Sequence, residues 1–188
     1  NFDFMVSYVL SRNYGNYSGL FDFGNATVNQ SPLPDLVQQI PNSDGLLPND
    51  RTHVFKFSGA YTFTFGLTLG TSFFWESGTP LTNFGRLGGS GYSYFITPRG
   101  SAGRTPSLWD LNFRFTYNLG NLFHSALKSK IKLDLFHLFS QRTPVNYDQT
   151  HYYSQDKNGQ PALPNSDFLN PISYQPPFTA RIGWEVEF

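Results

Sequence analysis

Apolar and polar positions alternate one for one through most of the chain. Phe2, Phe4, Val6, Tyr8 and Leu10 stand against Asp3, Met5, Ser7, Val9 and Ser11. Phe55, Phe57, Tyr61 and Phe63 stand against Lys56, Ser58, Ala60 and Thr62. Phe65, Leu67, Leu69, Phe73 and Trp75 follow in the same manner, with Phe74 out of phase. The alternation is cleanest in Trp109–Leu119, where Phe113 and Phe115 flank Arg114, in Ile131–Leu135, and in Phe178–Phe188. A two-residue period held over about ten residues is a strand signature. It predicts six strands, near 2–14, 52–63, 65–77, 107–119, 129–139 and 178–188. One short helix of about two turns is expected at Pro34–Ile40, bracketed by Pro32 and Pro41.

The connections alternate as well. Long segments fall at 15–51, 78–106 and 140–177, and short ones near 64 and 120–128. Loops beyond about 15 residues are uncommon in compact domains, whereas outer-membrane barrels pair short periplasmic turns with long extracellular loops. The pattern therefore predicts an all-β fold, a transmembrane antiparallel β-barrel wall whose last strand brings Phe188 to the periplasmic rim. Barrels of one chain need at least about eight strands, and an open edge in lipid leaves backbone groups unpaired. The chain opens at Asn1 within a strand pattern, so further strands are expected upstream or from other chains. A soluble sandwich with an aromatic core would show a similar alternation and is the plainer alternative.

Composition changes the picture in three ways. Thirteen basic residues balance thirteen acidic ones, which removes the electrostatic case for nucleic acid. There is no cysteine, so disulfide scaffolds, thiolate metal sites and cysteine nucleophiles are excluded. Mean hydropathy is −0.35, yet the chain carries 3 Trp, 11 Tyr and 20 Phe, which suits strands with only one apolar face. The opposite face gathers charges of both signs. Lys56, Asp110, Arg114, Lys132, Asp134, Arg181 and Glu185 are candidate lumen charges, either bracing the wall or guiding a solute.

The chain ends in Trp184-Glu-Val-Glu-Phe188. With Phe178, Ile182, Trp184 and Val186 on one face, it resembles the terminal strand that barrel-assembly machinery reads. Asp50-Arg-Thr-His-Val-Phe-Lys56, Ser77-Gly-Thr-Pro80, Pro98-Arg-Gly-Ser-Ala-Gly-Arg-Thr-Pro-Ser-Leu-Trp-Asp-Leu111 and Leu133-Asp-Leu-Phe-His-Leu-Phe139 resemble the closing strands of TonB-dependent receptors of the Oar-like type. The chain departs from them where they commonly read Asn, at His137 and Ser140. The resemblance covers most of the chain and is weakest over 15–49. It implies that residues 1–188 are the C-terminal part of one barrel domain of 22 strands, with plug and TonB box outside this chain. It further implies an integral outer-membrane location. The implied partners are the lipid bilayer, the assembly machinery, the TonB complex and a small-molecule or peptide ligand.

Candidate chemistry is sparse. His53, His124, His137 and His151 lack metal-ligand spacing, and His53 reads as an interfacial aromatic. Asp156-Lys-Asn-Gly159 lacks the later ligands of a calcium loop, so Asn158-Gly159 reads as a hairpin turn; Asn42-Ser-Asp-Gly45 reads likewise. Gly88-Gly-Ser-Gly91 lacks the Lys and helix of a phosphate loop. Ser107 and Asp110 have no placed histidine. No catalytic set, metal or cofactor is expected. Aromatics in the long loops, Tyr92, Tyr94 and Phe95 beside Phe84, and Tyr147, Tyr152 and Tyr153, are candidate ligand contacts or loop packing.

Three other functions remain open at this point: a passive porin-like channel, a structural barrel anchoring a surface assembly, and a soluble sugar-binding sandwich. The assigned phase has a direct test. A cysteine at position 112 should react with an aqueous thiol reagent while one at 113 stays protected, because a one-residue slip exchanges the faces. Equal labelling at both positions would refute the phase.

Overall fold

In the computed structural model, residues 1–17, 21–22, 27–28, 36–88, 92–120 and 128–187 are described. Six long strands form one antiparallel sheet: β1 (Phe2–Leu10), β2 (His53–Thr62), β3 (Leu67–Glu76), β4 (Leu108–Asn118), β5 (Lys128–Phe136) and β6 (Thr179–Glu187). Each pairs with the next in chain order, a simple meander. β1 and β6 have one neighbour each among the described residues, so this sheet is open.

All six expected strands are present, and two are shorter than their sequence pattern. β1 stops at Leu10, and Tyr14–Gly15 pairs instead with Gly45–Leu46. β5 stops at Phe136 because His137 and Ser140 take positive φ, 53° and 49°, which turns the chain out of the ladder. Those are the two positions where Asn was expected by resemblance; Asn tolerates this conformation more readily. The expected helix contracts to a single 3₁₀ turn at Val37–Gln39, with residues 34–35 outside the described part. Residues 121–127 of the expected 120–128 turn, with His124 among them, Gly89–Gly91 and Phe188 also lie outside it.

The ladder registers sort the side chains into rows. On one face Tyr8, Phe55, Trp75 and Trp109 lie side by side at the end where the long loops leave the sheet. Below them run Val6–Phe57–Phe73–Leu111 and then Phe2–Tyr61–Leu69–Phe115–Leu133–Ile182. The next row toward the short turns is Leu67–Tyr117–Ile131–Trp184, near where Tyr61, Phe63 and Phe65 cluster. From Trp109 to Tyr117 is eight steps, or roughly 27 Å along the strand. This face is uncovered: Phe4 is 64% exposed, Ile182 79% and Trp184 74%.

The buried apolar residues lie elsewhere. Leu47, Leu81, Phe84, Leu87, Tyr94 and Leu108 are buried, all of them in the long loops or at the first residue of β4. The loops form a cap of their own, in which Thr150–Gln155 pairs with both Pro161–Pro164 and Phe84–Arg86, the second pairing parallel and between different loops. Asp156–Gln160 closes the first of these hairpins. Asp156 Oδ1 accepts the amides of Asn158 and Gln160 at 2.8 Å, and Gly159 supplies φ 76°. The expected turn is therefore found.

Two buried charged groups, Asp50 and Arg99, tie the cap together. Asp50, 1% exposed, bonds Arg104 and accepts the Asn13 amide at 2.5 Å. Arg99 donates from Nε to the Ser43 carbonyl at 2.7 Å and lies 4.5 Å over the Phe95 ring. Arg104 also reaches the Gly78 carbonyl at 2.7 Å, where the backbones pass so closely that a Cβ on Gly78 would lie 1.7 Å from the Thr105 carbonyl oxygen. Replacing Arg104 with Ala leaves the Asp50 carboxylate buried without its cation, which costs about 3 kcal/mol or more. We expect Arg104→Ala and Gly78→Ala each to make the 77–107 loop protease-sensitive while the strands stay protected; an unchanged digestion pattern would refute the tie.

Candidate functional site

The polar face of the sheet carries the candidate lumen charges, and the ladder brings most of them together. Arg114, Asp134 and Arg181 are direct cross-strand neighbours on β4, β5 and β6. Asp134 accepts Arg114 Nε at 2.5 Å and Nη2 at 3.1 Å, and Arg181 Nε at 3.0 Å and Nη2 at 2.6 Å. Such forked contacts fix both guanidinium planes. The Asp134 side chain is 6% exposed beneath Arg side chains that are 54% and 64% exposed. Arg181 also lies 5.5 Å over Phe136. Toward the short turns, Glu185 is gripped by Lys132 and, at 3.5 Å, by Lys130.

Across the same row, the partners of Arg114 on β3 and β2 are Gly70 and Ala60, with Asp3 beyond them on β1. Small side chains there leave a depression of about 570 Å³, lined in part by Ser58, Ala60, Gly70, Ser72, Asn112 and Arg114. Toward the loops, Asp110 is 2% exposed and bonds His137 Nδ1 at 2.9 Å and Asn112 Nδ2 at 3.2 Å. Lys56 and the out-of-phase Phe74 share the Asp110 row. Just outside the strands, Arg51 bonds Glu76 at 3.1 Å and the Ser77 carbonyl at 2.8 Å. Burial pushes its guanidinium below its ordinary value against the pull of Glu76.

The loop aromatics divide by environment. Tyr94 is buried with its ring against Gly85, where a Cβ would come within 2.5 Å, and its hydroxyl has no partner among the described residues. Phe95 packs between Phe84, at 5.2 Å, and Arg99. The Tyr152 ring lies tilted against His151 at 4.2 Å, and His151 lies flat on Phe168 at 4.1 Å and bonds Asn83 at 3.0 Å. His151 is thus a packed ring. Tyr147 is half-buried, while Tyr92 and Tyr153 are exposed, the latter with Arg86 above its ring at 5.9 Å. His53 opens β2, bonded to Tyr8 at 2.8 Å and facing Trp75.

Of the terminal-strand set, Ile182, Trp184 and Val186 share the apolar face of β6. Phe178 sits just before β6 at its loop end, its amide bonded to Ser140 Oγ at 3.3 Å. Sequence reasoning did not single out Asp50, Arg99 or the buried Gln149, which accepts the Thr82 amide at 2.6 Å. Asp50 and Arg99 stand in the motifs that carry the resemblance, but motif membership did not disclose burial. Among the described residues no group of three metal-ligating side chains assembles.

The two polar clusters differ in depth, and so should their mutants. Asp134→Asn removes a covered carboxylate between two guanidiniums, whereas Glu185→Gln alters one that is well exposed. The first should lower the thermal midpoint, followed by tryptophan fluorescence, clearly more than the second; equal shifts would contradict this ranking.

No family model matches the chain, and no solved structure matches it. The TonB-dependent transporter Oar of Myxococcus xanthus is 33% identical over 225 aligned residues, which take in 97% of this chain and 20% of that protein. The chain thus spans about one fifth of the relative's length. Sequence similarity and an all-β sheet together support a partial TonB-dependent receptor-like region.

Proposed function

We propose that this chain is a sector of the β-barrel wall of a TonB-dependent outer-membrane receptor. In this reading the barrel has 22 strands and is closed by segments outside the chain. It imports a small-molecule or peptide ligand bound by the long loops, with energy delivered through the TonB complex. The observation that carries the reading is the uncovered apolar face, with an aromatic row at its loop end and with Tyr117, Trp184 and the Tyr61–Phe63–Phe65 cluster toward the short turns. In water such a face would be an aggregation liability; a soluble sandwich would bury it and would not confine its buried apolar residues to the loops. In a bilayer the same face meets hydrocarbon and its aromatic rows meet the interfaces. At a tilt of about 40° the roughly 27 Å from Trp109 to Tyr117 stands about 20 Å tall, close to the apolar band of such barrels.

On this reading the polar face lines the lumen, the cap of long loops is extracellular and the turns are periplasmic. Ligand contact falls to the exposed loop residues Tyr92, Tyr153 and Arg86, because Tyr94, Phe95 and Tyr152 are engaged in packing. The β6 face of Ile182, Trp184 and Val186, with Phe188 after it in the sequence, serves the assembly machinery.

Fractionation of cells tests the membrane placement. Trp184→Arg with Val186→Arg places two charges on the lipid face, where each costs about 2–4 kcal/mol at mid-depth and less near the turn-side interface where they stand. The pair also removes the terminal strand's apolar pattern; it should empty the outer-membrane fraction, as should deletion of Phe188. Glu185→Gln, on the polar face, should accumulate normally. An epitope at residues 156–159 should be reached by antibody on intact cells. Normal outer-membrane abundance of the double Arg variant, or an epitope reached only after lysis, would overturn the reading. Ligand uptake that persists without TonB would remove the energised-transport part alone.

A further inference from the structure

The early end of β5 leaves one carbonyl of β4 without its ladder donor. In β4 the odd residues turn their backbone toward β5: the Leu119 amide donates to Ser129 at 2.8 Å, and the Leu111 carbonyl accepts from Leu138 at 3.1 Å. The next acceptor toward the loops is the Trp109 carbonyl, and by the two-residue period its donor is the Ser140 amide. Ser140 instead takes φ 49° and turns its amide back to the His137 carbonyl at 2.8 Å. The Trp109 carbonyl is served by a side chain from the other root of the same loop, Gln175 Nε2 at 3.1 Å. Phe139, with its ring centroid 5.6 Å from that of Trp109, holds the interrupted segment beside β4.

Two features mark this joint as one of two arrangements. Ser140 holds a left-handed backbone, which Gly, Asn and Asp adopt far more readily. Buried side-chain atoms without a hydrogen-bond partner among the described residues also fall here: Gln175 Oε1, and, on the chain neighbours of Ser140 and Trp109, Gln141 Nε2 and Asp110 Oδ1. Buried polar groups are ordinarily paired, so the seated Gln175 leaves bonding capacity unused. If Ser140 returns to extended backbone, its amide exchanges the His137 carbonyl for that of Trp109, one bond for another. Gln175 is then displaced, and Ser140 Oγ gives up the Phe178 amide that it accepts at 3.3 Å. We propose that Gln175 Nε2 and the Ser140 amide are alternative donors to the Trp109 carbonyl, which makes the root of the 140–177 loop a latch. Closed, Gln175 fastens the loop to the wall. Open, β5 gains a rung and that root is released from β4.

Hydrogen exchange of the intact protein in detergent micelles, resolved to single amides by mass spectrometry with electron-transfer fragmentation, tests this. Gln175→Met keeps the side chain's length and removes its donor. After correction for intrinsic rates, it should quicken the amide of Phe178 and slow the amide of residue 140, each at least about five-fold against wild type. A merely structural role for Gln175 would quicken both. Adding Ser140→Asn, which favours the left-handed backbone, should return both amides toward their wild-type rates. Phe113 and Leu133, inside the ladder, should stay protected throughout. If Gln175→Met does not assemble, Ser140→Asn alone decides: it should slow the Phe178 amide, and an unchanged rate there would overturn the latch. Both amides quickening together, a residue-140 amide that does not slow, or a double variant no closer to wild type would overturn it likewise.

Discussion

The backbone ladder running from Phe2 to Glu187 is the constraint from which the remaining arrangement follows. Because each strand pairs with the next in an unbroken antiparallel register, the parity of a residue's number within a strand decides its face. Arg114, Asp134 and Arg181 meet for that reason, and Trp75 stands beside Trp109 for the same reason. Neither cluster needs a special local conformation; each results from a two-residue period carried across neighbouring strands. Shifting one strand by a single residue would move aromatics among the charges and dissolve both.

The sheet and the loops solve different problems. The sheet satisfies its backbone internally and leaves its apolar side uncovered, so it relies on its surroundings to accept that side. The loops supply their own interior, through buried leucines, the Asp50–Arg104 pair and the Arg99 guanidinium. Long loops are ordinarily where a chain is least constrained. Here three of them share hydrogen bonds, from Arg99 to Asn42 between the first and second and from Phe84 to Gln149 between the second and third. Exposed residues such as Tyr153 and Arg86 are therefore displayed on a supported platform.

How much of this was legible in the sequence follows from how each feature is encoded. The six strands and their phase could be read because strand periodicity is local and repeats; that Arg114 and Arg181 both pair with Asp134 depends on the cross-strand register, which periodicity alone does not set. The early ends of β1 and β5 could not be read, since neither Leu10 nor Phe136 is followed directly by a glycine or proline that would mark a stop. The cap was least legible. Asp50 meets Arg104 across 54 positions and Thr82 meets Gln149 across 67, and no spacing rule links such pairs. Gly78 and Gly85 resemble ordinary loop glycines until the Thr105 carbonyl and the Tyr94 ring are found against them.

The parallel pairing of Phe84–Gly85 with Thr150–Tyr152 joins two stretches of chain that are far apart in the gene. Neither can be lengthened, recombined or borrowed from a relative alone without stripping the other of its hydrogen-bonding partner. Diversification of this surface is thus a matter of compensated, paired change, and a chimaera that exchanges one loop should inherit a damaged platform where one that exchanges both inherits a working one.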